Sequence, residues 1–244
     1  MKKNIILLFL LTTATFAQMS SQIGWMSKFG LAGGANASWI FPNYDEINKQ
    51  LPEFGINEKF SGGLLTWGGS GYVYLMIIDN LRIGGMGFGG SQSLNTNTPN
   101  YNREVIYKIG GGAFTVEYSL PFIKKIGVSV GGMIGGGSLS VELYQFNING
   151  GIGWDDSWGI FNVRTGTKNF SRVMNCSYFT LTPTFNVDIP LTRFFAIRVG
   201  TGYQFTMNEN WELANGQSLS GVPSSVNGDA FFIQTGIYLG FFAF

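Results

Sequence analysis

Histidine is absent from all 244 residues, and cysteine occurs once, as Cys176. Without an imidazole there can be no Ser-His-Asp or Asp-His constellation and no His-bearing zinc site. A single thiol cannot close an intramolecular disulfide, so no disulfide framework holds the chain. Charge is scarce as well: Asp, Glu, Lys and Arg make up 12% of the residues, against about 25% in an average globular protein. A soluble enzyme domain needs more charge on its outside. Long hydrophobic runs are also missing, since nothing after the first residues approaches the ~18 apolar residues of a membrane-crossing helix. Disorder is excluded from the opposite side, because 16% of the residues are aromatic and such chains are poor in aromatics.

What the sequence does have is glycine. There are 36, about twice the usual share, without the G-X-Y period of collagen. At the beginning, Lys2 and Lys3 precede an apolar stretch from Ile5 to Leu11, and Thr15-Phe16-Ala17 offers small residues for cleavage. This pattern predicts an export signal over residues 1–17, cut near Ala17, rather than an anchor. Cys176 lies far from that point, so lipid attachment through a cysteine beside the cleavage site is excluded. Loss of Lys2 and Lys3 leaves 13 basic residues against 14 acidic ones, a balance that provides no basic stripe for nucleic acid.

Beyond the signal, period-two alternation recurs and helical periodicity does not. From Phe195 to Met207, the residues Phe195, Ile197, Val199, Tyr203 and Phe205 point one way, and Ala196, Arg198, Gly200 and Gln204 the other. From Phe179 to Ile189 an apolar set alternates with Thr180, Thr182, Thr184, Asn186 and Asp188. These are two-faced strands. The same reading places eight strands near 29–40, 66–78, 81–90, 105–120, 126–144, 173–189, 194–207 and 229–243, the second without an assignable phase. Phase is lost at Gly84-Gly85, Gly110-Gly111-Gly112 and Gly135-Gly136-Gly137, where bulges or sharp bends are expected. Tight turns at Asp79-Asn80, Pro121–Lys125 and Pro190–Arg193 alternate with long polar connections over 41–65, 91–104, 145–172 and 208–228. Within the first of these, Asn43 and Glu46 predict a short helix ending before Pro52.

A signal peptide, two-faced strands, short turns alternating with long loops, and the aromatic ending Tyr238-Leu-Gly-Phe-Phe-Ala-Phe244 together resemble the small bacterial outer-membrane β-barrels of the OmpA-transmembrane, OmpX and OmpW kind. The resemblance covers almost all of residues 18–244. It implies an all-β, eight-stranded antiparallel up-and-down transmembrane barrel in the bacterial outer membrane, with short periplasmic turns and long outer loops. It also implies outer-membrane lipids and the barrel-assembly machinery as partners, and Phe242 and Phe244 as the C-terminal assembly signal. One departure is that the more apolar set of the last strand (Phe231, Ile233, Ile237, Leu239 and Phe241) is out of phase with Phe244. Physics converges on the same fold, since strands cross hydrocarbon only as a closed barrel.

Some barrels of this kind are enzymes that lean on a histidine, which this chain lacks, so a non-enzymatic role without cofactor or metal is expected. Adjacent Asp155 and Asp156 read as solvated loop acids, and Cys176 has no imidazole partner. The strings Gly110–Gly112 and Gly131–Gly135 fit no phosphate-binding loop. On the inward face the phases put Arg82, Glu117, Asp188 and Arg198. Two readings stay open: ion pairs plugging the interior, or a narrow conductive path for ions or small apolar molecules. In the long loops, Trp154, Asp155, Asp156, Trp158 and Trp211 are candidates for recognising a surface glycan or an envelope partner. The competing view treats them as hydrophilic loops with aromatics at the membrane boundary. An accessory role in a larger envelope complex is a third reading.

Overall fold

The computed structural model describes residues 29–75, 77–121, 126–148, 169–192 and 194–243. Eight antiparallel strands follow one another round a closed barrel. They are β1 (Phe29–Pro42), β2 (Leu64–Tyr74), β3 (Leu81–Asn97), β4 (Tyr101–Ser119), β5 (Gly127–Asn147), β6 (Phe170–Pro190), β7 (Phe195–Leu213) and β8 (Ala230–Ala243). Among the described residues a single helix, α1 (Asp45–Gln50), sits between β1 and β2. Partner positions followed once round the ring, from Ala32 through Tyr72, Gly84, Thr115, Met133, Thr182, Gln204 and Ala230, return to β1 at Pro42, ten residues further on. A stagger of that size over eight strands tilts them by about 40°.

The alternation puts the apolar set outside. Phe179, Leu181, Phe185 and Ile189 on β6, and Val199, Tyr203 and Phe205 on β7, are exposed on the barrel wall, while Thr180, Thr182, Asn186, Arg198 and Gln204 are buried inside. Leu31, Trp39, Trp67, Phe114, Ile134, Ile233 and Leu239 extend the belt round the ring. An apolar exterior on a closed barrel with an even number of antiparallel strands is outer-membrane architecture. This chain is a membrane-spanning β-barrel.

Charge placed on the belt is therefore costly. Val199→Arg is expected to destabilise the folded barrel by about 2–4 kcal/mol, as basic side chains do near mid-membrane. Heat-modifiable gel migration after refolding into lipid reads this directly, and an unimpaired variant would reverse the assigned faces.

The strands run longer than the sequence pattern predicts. β5 and β6 have 21 residues each, about twice the 9–11 that tilted strands need to span the hydrocarbon. The segment 91–104, read as a long loop, is instead a tall hairpin that stays paired up to Asn97 and Asn102 and turns over the four residues between them. Its outward positions become polar (Ser91, Ser93, Asn95, Glu104), so the apolar alternation stops although the pairing continues. Lys108 and Glu142, joined by a 2.6 Å ion pair on the wall, mark where the hairpins leave the belt. At the opposite end β2 stops at Tyr74, four residues short of expectation, and Asn80 (φ 66) completes the turn into β3.

The expected glycine bulges are not there either. Pairing of β3 with β4, and of β4 with β5, runs unbroken through Gly84-Gly85, Gly110–Gly112 and Gly135–Gly137. The inward-facing ones among them answer to close approach: a Cβ at Gly84 or Gly135 would collide with a carbonyl oxygen of the neighbouring strand. Among the described pairings the one register shift lies between β6 and β7 at Ser177/Phe179. Opposite it, Asn208 takes the left-handed conformation (φ 55), which asparagine tolerates better than most residues. The extra residue reverses the phase of upper β7, so Trp211 faces inward. In β8 no shift occurs up to Ala243, and Phe242 lies opposite Gly30; Phe244 is outside the described residues.

Candidate functional site

The interior has two layers of different chemistry. The lower one gathers the four charged side chains expected on the inner face. Arg82 and Glu117 are cross-strand neighbours on β3 and β4, as are Asp188 and Arg198 on β6 and β7. Across the lumen the pairs lock together. Arg82 Nη1 donates to Asp188 Oδ2 at 2.5 Å, and Arg82 Nη2 donates to Glu117 and to Ser129. Arg198 donates from Nε to Asp188 Oδ1 at 2.6 Å and from Nη1 to Glu117 Oε1 at 3.1 Å. Asn186 Nδ2 donates to Glu117 Oε1 at 3.2 Å, and Gln234 Nε2 donates to Asn186 Oδ1 at 2.8 Å. Both guanidiniums also lie on Tyr72, at 4.6 and 4.8 Å from its ring centre, and Arg198 lies 4.8 Å from that of Tyr238. Two cations and two carboxylates, all nearly inaccessible, balance one another, as charges removed from water must.

Above this layer the lumen is apolar. The connection between β1 and β2 does not extend into solvent but folds down into the barrel. Tyr44, Ile47, Leu51, Ile56 and Phe60 are buried there against Val105, Tyr107, Leu139, Val141 and Phe232 of the wall. Asn48 fixes the fold of this insert with two bonds to one residue: its Nδ2 donates to Phe60 O at 2.9 Å, and Phe60 N donates to its Oδ1 at 2.8 Å. Tyr44 stacks on Phe60 (5.4 Å) and meets the Tyr107 ring edge-on (5.0 Å), while its hydroxyl donates to Gln92 Oε1 at 3.2 Å. Burial pushes the Tyr44 phenol up to about 12. The predicted helix is present as α1, but its cap differs: Asn43 Oδ1 accepts from Asp45 N at 2.9 Å, and Glu46 pairs instead with Lys49 at 2.7 Å.

Together the layers close the lumen. The interior cavities found at the charged layer and beside Met86 and Met133 measure about 10 Å³ each, scarcely the room for one water.

The outer mouth is different. Between α1, the upper ends of β4–β7 and the segment 219–226 lies a cavity of about 320 Å³. Ile47, Leu51, Phe54, Val141, Met174 and Trp211 form much of its lining, and Leu219, Val222 and Pro223 close one side. Trp211 is thus not a loop residue, as the sequence suggested, but part of β7 with its ring buried in the mouth. Trp154, Asp155, Asp156 and Trp158 lie outside the described residues. Sequence reasoning missed the insert because Ile47, Leu51, Ile56 and Phe60 are spread through a segment that is otherwise polar.

No protein-family model matches the chain, and no curated protein matches it. Solved structures do resemble it. One is Ail, the attachment invasion locus protein of Yersinia pestis, at 9% identity and TM-score 0.42, with 87% of this chain and 97% of that one covered. Neisserial surface protein A gives 10% identity and TM-score 0.42 over 87% and 97%. A major outer membrane protein from Thermus thermophilus gives 8% identity and TM-score 0.45 over 87% and 99%.

Proposed function

We propose that this chain is a non-enzymatic, non-conducting barrel of the bacterial outer membrane that acts at its outer mouth, as a surface recognition or adhesion protein. The double closure of the lumen carries the reading: among the described residues a charged layer and a folded-in apolar insert leave no aqueous path, so what remains accessible is the rim. Outer-membrane lipid surrounds the belt, and the barrel-assembly machinery is the partner during biogenesis. Among the described residues the rim includes the connections at 43–63 and 214–229 and the top of the β3–β4 hairpin, all on the side opposite the β2–β3, β4–β5 and β6–β7 connections. Short turns belong to the periplasmic end in barrels of this kind, which puts the cavity at the cell surface.

The test is labelling of intact cells with a membrane-impermeant maleimide. Ser220→Cys on the rim and Asp79→Cys in the β2–β3 turn are both exposed positions, and the native Cys176 is buried. Position 220 should react and position 79 should react only after the membrane is opened. The reverse pattern would place the mouth in the periplasm and end the proposal.

A further inference from the structure

We infer that the cavity at the outer mouth is a dead-end binding site for one small, uncharged, largely apolar molecule of about the size of a bicyclic aromatic. This rests on the surface-recognition reading and adds the chemistry of what is recognised.

Size comes first. At about 320 Å³ the cavity has roughly twice the volume of a ~150 Å³ apolar cavity that accepts one benzene. It also falls within the range of small-molecule sites, about 300–1,000 Å³. Two further cavities among the described residues, at about 10 Å³ each, are packing voids, so the mouth is not simply more of the same looseness.

Charge comes second. Among the described residues Glu46 is the one ionisable side chain in the lining, and its carboxylate is already engaged by Lys49 at 2.7 Å. An anionic ligand would meet a carboxylate and, among the described lining residues, no cation. A cationic one would have to compete with the Glu46–Lys49 pair. Gln50 and Ser220 are the neutral polar side chains of the lining, and they can serve one polar edge of a ligand without demanding charge.

Construction comes third. Three separate parts of the chain make the walls: the insert with α1, the strand ends carrying Val141, Met174 and Trp211, and the segment 219–226. The insert is clamped by Asn48 and Phe60, and the outer segment is tied back by Leu219 N donating to Trp211 O at 2.9 Å. An aromatic ring and a thioether side by side give a flat wall and an adaptable one. The floor is the apolar layer, with the ion-paired layer beneath it, so a ligand that enters from outside leaves the same way.

The probe is indole, which is uncharged, bicyclic and water-soluble, with indole-3-carboxylate as its charged counterpart. Equilibrium dialysis of radiolabelled indole against the protein in lipid nanodiscs, corrected for empty nanodiscs, should show one saturable site, and indole-3-carboxylate should not displace it. Leu143→Trp fills the cavity from β5 and should weaken binding at least about tenfold, as a steric block does. Retained heat-modifiable migration shows that this variant is folded. Should it fail to fold, Val222→Trp fills the same space from the outer segment. Uptake no greater than that of empty nanodiscs, equal affinity for the carboxylate, or undiminished binding by a folded filled variant would each overturn the inference. If the site fails while Ser220→Cys still labels from outside, the ligand class is wrong and the surface reading stands. If neither holds, the surface reading has failed as well.

Discussion

Arg82→Met is expected to destabilise the barrel by about 3–5 kcal/mol, the cost of removing one partner from a buried ion pair. Arg82 is 2% exposed and serves both carboxylates of the lower layer. Its loss leaves Glu117 and Asp188 with Arg198 alone, so one negative charge is buried without compensation. The paired replacement Arg82→Met with Glu117→Met should recover most of that loss, because a whole buried pair exchanged for apolar groups is often neutral. Asp188 and Arg198 then remain as a complete pair, bonded at 2.6 and 3.0 Å. Urea unfolding of protein reconstituted in vesicles measures both variants. A double variant as unstable as the single one would mean that Ser129, Asn186 and the tyrosines, not charge balance, hold the layer.

The second large effect separates glycines that the barrel requires from glycines that it merely tolerates. A Cβ at Gly131 would collide with the Val116 carbonyl oxygen and sit 2.8 Å from Glu117 Cα, both backbone atoms that cannot turn aside. Gly131→Val should therefore cost at least about 3 kcal/mol, the upper range for forced overpacking, and abolish the folded band on gels. Gly87 faces the membrane, and a Cβ there meets only the Gly111 carbonyl oxygen at an ordinary 3.6 Å. Gly87→Val should fold as well as the parent, since valine suits a strand that faces lipid. Its cross-strand row, Ala35, Gly69, Gly87, Gly112 and Gly136, is thus a bare strip on the barrel wall that the fold does not demand. Equal damage from both substitutions would contradict this division.

The contrast between those two glycines also shows what a sequence can and cannot reveal here. Strand number, order and facing were legible because a side chain's face repeats every two residues, and β6 and the part of β7 up to Met207 carry that repeat without interruption. The inward facing of Arg82, Glu117, Asp188 and Arg198 was legible for the same reason; Asp188 and Arg198 flank one short turn, whereas Arg82 and Glu117 meet only at the foot of the long β3–β4 hairpin. That the two pairs join across the lumen depends on a ten-residue stagger, which no local pattern encodes. The upper strand ends escaped notice because pairing outlasts the apolar exterior: once a hairpin rises above the lipid, both of its faces can be polar. Trp211 was misplaced by one extra residue at Asn208, which reverses every face beyond it. The insert was missed because its apolar residues pack as a plug, following neither a strand's nor a helix's period.

Closure of the lumen is the claim on which the functional reading turns, and single-channel recording in planar bilayers tests it most directly. The purified wild-type barrel, its insertion verified by heat-modifiable migration, should leave the bilayer at baseline at all moderate voltages and salt concentrations. A steady, reproducible conductance from the intact protein would contradict it and move transport ahead of recognition.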